Sequence, residues 1–166
     1  MSNSSIPFLV AAGAALTAAT GALALPAPAR KASGCTAGKP SVLVHVAGFK
    51  RPAGKVKVSL YGSEGRWLSK SGRISRVKMP VTGKAMDICM PVPAPGRYAV
   101  VVHHDYNVNG ERDREDGGGY SRNPKVSLLN PKPSFSKAAF QVGNGPSRVG
   151  VRLLYIKGLG VGPVGS

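Results

Sequence analysis

Between residues 41 and 156, apolar and polar positions alternate in short runs, the period that a half-buried β-strand imposes. Residues 55–61 show it most plainly: Val56, Val58 and Leu60 fall on one face, with Lys55, Lys57 and Ser59 on the other facing out. Residues 41–46 form a strand before it, and residues 47–54, with Pro52 and Gly54, have the length of a hairpin turn. Residues 73–79 and 84–90 give further strands, the second with Met86, Ile88 and Met90 on one face. After the turn Pro93-Ala94-Pro95-Gly96, residues 97–104 are apolar on both faces, which predicts a central strand covered on both sides. Residues 137–142 and 147–156 complete the set, the last placing Val149, Val151, Leu153 and Tyr155 together. Residues 66–68 stay unassigned. About seven short strands separated by turn signals predict an all-β fold, an antiparallel β-sandwich over residues 40–157.

The two ends read differently. Residues 6–25 carry no charge, and Ala22-Leu23-Ala24 places small residues where a signal peptidase reads, so residues 1–24 are expected to be a secretory signal peptide. No Lys or Arg precedes the apolar run as a signal peptide's n-region would have it, and the 20 apolar positions from Ile6 to Leu25 are long enough to span a bilayer, so an uncleaved membrane anchor is the alternative. Ala32-Ser33-Gly34-Cys35 matches a lipoprotein box only loosely, because Arg30 and Lys31 separate it from the apolar run. Residues 25–39 read as a linker and residues 158–166 as a flexible, glycine-rich tail. A periplasmic or secreted location makes a disulfide the expectation for Cys35 and Cys89, closing a loop worth about 4 kcal/mol in the chain-entropy model. Two isolated thiols are the alternative.

Charge then changes the picture. The 166 residues carry a net charge of +16, but no basic run exceeds two residues and few aromatics lie among them, which argues against nucleic acid. Anionic cell-envelope polymers are the compatible partners, beside a simply soluble basic surface; membrane contact is expected only through an uncleaved signal segment. Five of the seven acidic residues fall within residues 105–116, which carry −3 against +19 for the rest. Counted from Asp105, side-chain oxygens stand at positions 1, 3, 5, 9 and 12 (Asp105, Asn107, Asn109, Asp113, Asp116), with Gly110 at 6 and the Glu111 backbone carbonyl at 7. Hard oxygen ligands at this spacing make a calcium loop, here entered from a strand and ending in Asp where bidentate closure needs Glu. With two neutral asparagines, its dissociation constant is expected on the order of 10⁻⁴ to 10⁻³ M. The competing reading takes Asn109-Gly110 as a type I′ turn and lets Arg112 and Arg114 neutralise the acids.

Catalysis has little support. His103 and His104 are adjacent on a strand and point to opposite faces, so a zinc site with His45 is not expected. Tyr120-Ser121 lacks a nucleophile elbow, and Glu64, Glu111 and Glu115 offer no glycosidase pair. A non-enzymatic binding or envelope-associated module is expected, with a carbohydrate-processing or enzyme-associated domain as the alternative. A cleft beside the loop lined by Tyr98, Tyr120 and His104 would mark a ligand site.

Three segments carry a resemblance. Pro95-Gly96-Arg97-Tyr98-Ala99-Val100, then His104-Asp105-Tyr106-Asn107-Val108-Asn109-Gly110-Glu111-Arg112-Asp113, then Pro133-Ser134-Phe135-Ser136-Lys137-Ala138-Ala139-Phe140, resemble the uncharacterised exported bacterial family called domain of unknown function 2141. The chain departs from the family pattern after the loop, where Asp116 is followed by three glycines and Tyr120 in place of a longer segment with a glutamate. The resemblance implies export and an immunoglobulin- or transthyretin-like sandwich, with no activity attached.

Overall fold

A computed structural model describes residues 35–165; the expected signal peptide and residues 25–34 of the linker lie outside the described residues. Ten strands and one helical turn follow in order: β1 (Ser41–Ala47), β2 (Lys55–Tyr61), β3 (Arg73–Pro80), β4 (Ala85–Pro91), β5 (Gly96–Asp105), β6 (Gly117–Tyr120), α1 (Phe135–Ala138), β7 (Phe140–Val142), β8 (Pro146–Arg152), β9 (Leu154–Lys157) and β10 (Gly160–Gly162). They form a three-stranded sheet, β4-β1-β8, and a seven-stranded sheet, β10-β9-β6-β5-β2-β3, with β7 joined to the start of β5. Every pairing is antiparallel except that of β1 with β8. The all-β sandwich is therefore the fold.

The inward positions of both sheets make the main core. Val42, Val44 and Val46 of β1 meet Val56, Val58 and Leu60 of β2 and Val100 and Val102 of β5, all of them fully buried. Valine dominates because its branched Cβ packs well on a pleated surface and loses little rotamer freedom there. Each such side chain contributes on the order of 1.5–3 kcal/mol by leaving water. The disulfide Cys35–Cys89, with Cα atoms 5.5 Å apart, ties the entry of the domain to β4.

β5 is apolar on both faces for the reason its pattern implied. Its second face, with Ala99 and Val101, is covered by a smaller cluster of Trp67, Leu68, Tyr120, Phe135, Ala138 and Ala139. The Trp67 indole N–H donates to the Pro133 carbonyl at 2.8 Å, and the Tyr120 hydroxyl donates to the Pro131 carbonyl at 2.9 Å, so two irregular segments are pinned over the sheet. The short segment around residue 67 supplies the lid of this cluster.

Three boundaries differ from the sequence reading. Residues 137–142 split into the end of α1 and β7. The last long strand breaks at Leu153, where the chain crosses from the smaller sheet (β8) to the larger (β9); the inward face Val149, Val151, Leu153, Tyr155 is kept through the crossing, so alternation alone does not reveal it. Within the stretch expected to be a flexible tail, β10 pairs Gly160–Gly162 with β9. The three glycines after Asp116 are a strand as well: a Cβ on Gly117 would come within 2.6 Å of the Tyr155 ring, and one on Gly119 within 2.6 Å of Val151. Their smallness lets β6 lie against the core.

Candidate functional site

The loop of residues 106–116 connects β5 to β6, and its two ends are anchored by the sheet. Asp105 ends β5 with 1% of its surface exposed. Its Oδ2 accepts from the Lys57 ammonium at 2.7 Å and from the Gly110 N–H at 3.2 Å. Lys57 also donates to the Gly110 carbonyl at 3.1 Å, so an ammonium from β2 stands where the start of the loop offers oxygens to a cation. Burial pushes the Asp105 carboxyl up, but the hydrogen bond and charge of Lys57 outweigh it and hold the group below its ordinary value. Its Oδ1 is buried without a hydrogen-bond partner.

Asp116 closes the other end. Its Oδ1 accepts from the Tyr106 N–H at 3.0 Å and its Oδ2 lies 2.6 Å from His103 Nε2. Burial holds the His103 imidazole below its ordinary value despite the carboxylate, with Arg112 and Lys57 acting in the same direction, so it is neutral at pH 7.

Between these anchors, Asn107, Asn109 and Asp113 make an exposed cluster. Both asparagine amides donate to Asp113 Oδ2, at 2.7 and 2.8 Å, and Asn107 and Asn109 Oδ1 cap the N–H groups of Asn109 and Glu111. These bonds to Asn107 and Asn109, with that from the Glu115 N–H, hold the Asp113 carboxyl below its ordinary value. The six residues expected to hold calcium thus fall into three groups. Asp105 is paired with Lys57 through Oδ2 alone, Asp116 with His103, and Asn107, Asn109 and Asp113 bond chiefly with one another, with Glu111 exposed. Among the described residues no three His, Cys, Asp or Glu side chains gather; the oxygens beside Asp113 are those of asparagines. The competing turn is not of type I′: that geometry needs positive φ at Asn109 and Gly110, and the positive angles fall on Val108 (62°) and Gly110 (86°). Neutralisation comes from Lys57 rather than from Arg112 or Arg114.

The histidines separate as expected by face; His103 is partly covered, with 13% of its side chain accessible. His104 is wholly buried in the main core, its Nδ1 2.7 Å from the Tyr155 hydroxyl and its Nε2 2.8 Å from the Ala53 carbonyl. His45 lies on the smaller sheet beside Asp87.

A cleft does open beside the loop, with a different lining from the one anticipated. Tyr98 and His104 belong to the core; only Tyr120 of the three reaches the cleft. The cavity, about 450 Å³, lies on the outer face of β5, β2 and β3, walled by Lys57, Ser59, Tyr61, Arg76, His103 and Arg112, with Tyr120, Pro131 and Lys132 along one side. Lys57 and Ser59, read as facing solvent, are therefore covered. Their burial follows from register: Ser59 pairs with Val101 and Lys57 with His103, so whatever covers the second face of β5 covers them too. Arg76 Nε donates to Ser59 Oγ at 3.0 Å, and burial together with the like charge of Arg73 lowers its pKa. Among the described residues the hydrogen-bond partner of the His103 ring is Asp116, and no hydroxyl or thiol bonds to it.

Sandwich and loop-flanked cleft together define an all-β sandwich domain with a polar cleft on one outer sheet face. The chain belongs to the family of uncharacterised proteins conserved in bacteria known as domain of unknown function 2141, whose family model matches residues 44–149. No curated protein and no solved structure matches the chain.

Proposed function

We propose that the protein is an exported, non-enzymatic binding module of the bacterial cell envelope whose ligand seats on the outer face of the seven-stranded sheet, with loop 105–116 as one wall. The observation that carries this reading is the cavity of about 450 Å³ beside the loop, a volume in the range of small-ligand sites. The disulfide Cys35–Cys89 supports an oxidising compartment. The test is an amide chemical-shift screen with a library of small fragments. Shifts are expected at Ser59, Val101 and Tyr120; a library with no hits, or with hits only on β4-β1-β8, would sink the reading.

A second reading concerns calcium. The buried Asp105 Oδ1 without a partner and the convergence of Asn107, Asn109 and Asp113 favour a structural calcium site on the loop. Calcium would be held by oxygens of Asp105, Asn107, Asn109, Asp113 and Asp116 with the Glu111 carbonyl, stiffening the wall of the cleft. Calorimetry with millimolar calcium tests it: heat and a raised melting temperature are expected, and neither would appear if the loop relies on Lys57 alone.

A further inference from the structure

We infer that the cleft binds an amphipathic anion, a phosphate or carboxylate head carried on an apolar body; this rests on the outer sheet face being the ligand face. The head site is cationic and lacks a carboxylate. Lys57, Arg76, Arg112 and Lys132 line the larger cavity, and its lining includes no Asp or Glu. Asp105 meets the charge of Lys57, but Arg76, Arg112 and Lys132 make no ion pair with an acidic residue among the described residues. These three exposed cations, none with an ion-pair partner among the described residues, raise the local potential around the cleft, and an anion with oxygens to share among two guanidinium groups relieves it. Ser59 and the Tyr61 and Tyr120 rings stand at the same wall.

The body site adjoins it. A second, mainly apolar cavity of about 190 Å³ continues along the same sheet face over β6, β9 and β10, lined by Val126, Leu128, Leu154, Ile156 and Val161, with Asp113 and Asp116 at its loop end. The two cavities share Arg112, Tyr120 and Pro131. Arg112 lies across the join, its two terminal nitrogens in ordinary contact distance (3.8 and 3.9 Å) of where a Cβ on Gly118 would stand. One face thus offers a charged recess and an apolar recess with an arginine between them. Free phosphate fills only the first, and a neutral alkyl chain only the second.

The test uses the full chain with three soluble probes below their micelle concentrations: octyl phosphate, inorganic phosphate and octyl glucoside. The single tryptophan, Trp67, reports binding, because its ring packs 5.1 Å from Tyr61 and 6.2 Å from Tyr120 at the cavity wall. Octyl phosphate is expected to bind at least tenfold more tightly than either other probe. Arg76→Gln is expected to weaken octyl phosphate and inorganic phosphate about tenfold or more, the loss of one charge-assisted contact. Lys132→Ala, on an exposed position, repeats the test without touching the fold. Leu128→Glu should weaken octyl phosphate and leave inorganic phosphate unchanged. Equal affinity for octyl phosphate and inorganic phosphate overturns the amphiphile in favour of a free anion. Equal affinity for octyl phosphate and octyl glucoside overturns the anion while leaving the ligand face standing. Fragment hits with no response to any of the three probes reject the class alone; no hits and no response reject the face as well.

Discussion

Lys57→Met isolates the contact on which the loop depends. The ammonium touches Asp105 Oδ2 at 2.7 Å and the Gly110 carbonyl at 3.1 Å, and the two side chains are only 12% and 2% exposed. Methionine keeps most of the stem's volume and removes the charge. Asp105 is then left with the Gly110 N–H for Oδ2 and nothing for Oδ1. Breaking one side of a buried pair in this way costs about 3–5 kcal/mol. A second route gives the same size. The variant can protonate Asp105, and moving a carboxyl from its usual value to neutrality costs roughly 1.4 kcal/mol per pH unit, about 4 kcal/mol at pH 7. The melting temperature should fall by roughly 10–20 °C for a domain of this length. Urea denaturation at several pH values is the assay. The deficit should shrink in acid, by about 1.4 kcal/mol per unit as protonation becomes cheaper, and the double variant Lys57→Met/Asp105→Asn should recover most of it. Millimolar calcium should restore the single variant more than the wild type if the ion takes the ammonium's place. A deficit below about 1 kcal/mol at every pH would refute the reasoning, because it would mean that Asp105 is solvated.

Other outcomes follow from the same geometry. Stability should decline in two stages on acidification: His103, held below its ordinary value of about 6.5, lets the unfolded chain take up a proton first, so stability falls below that pH. Asp105, held below 3.8, adds stability that is present above that value and lost as pH falls further; denaturation midpoints for His103→Gln and Asp105→Asn should each flatten their own stage. Val108 holds a left-handed backbone (φ 62°) with a branched side chain that is 47% exposed, so Val108→Asn should stabilise by about 1 kcal/mol in the same assay. Cys89→Ala removes a cross-link over 54 residues and should cost about 4 kcal/mol, whereas finding two free thiols in unreduced, denatured protein would remove that expectation.

The elements were readable where one sheet face is apolar. β2, β4 and β5 match their alternation, and the double-sided pattern of residues 97–104 correctly implied a cover on both faces. Pattern alone does not say what provides that cover, because the cover is gathered from separate pieces of chain: the segment around Trp67, Tyr120 of β6, Val126 and the helical turn α1 with Ala139. Arg76 and Lys132 are exposed and read as ordinary solvated charges. Pairing is the signal that places Arg76 at the cleft: once Ser59 is set opposite Val101, Arg76 on β3 lies beside it on the same face. The loop stood out through its acids, yet its cation-like partner Lys57 comes from a strand about fifty residues earlier. Spacing within the loop carries no trace of that contact.

The pairing of β1 with β8 also has a consequence for how the domain assembles. Ser41 lies beside Pro146, so the first strand of the smaller sheet waits for almost the last, and only the Cys35–Cys89 link and β4 hold the sheet together earlier. Such late closure raises contact order and slows folding. A chain that stays open until its far end is available remains threadable for longer, and a deletion that removes β8 should leave the first strand an open edge seeking another chain.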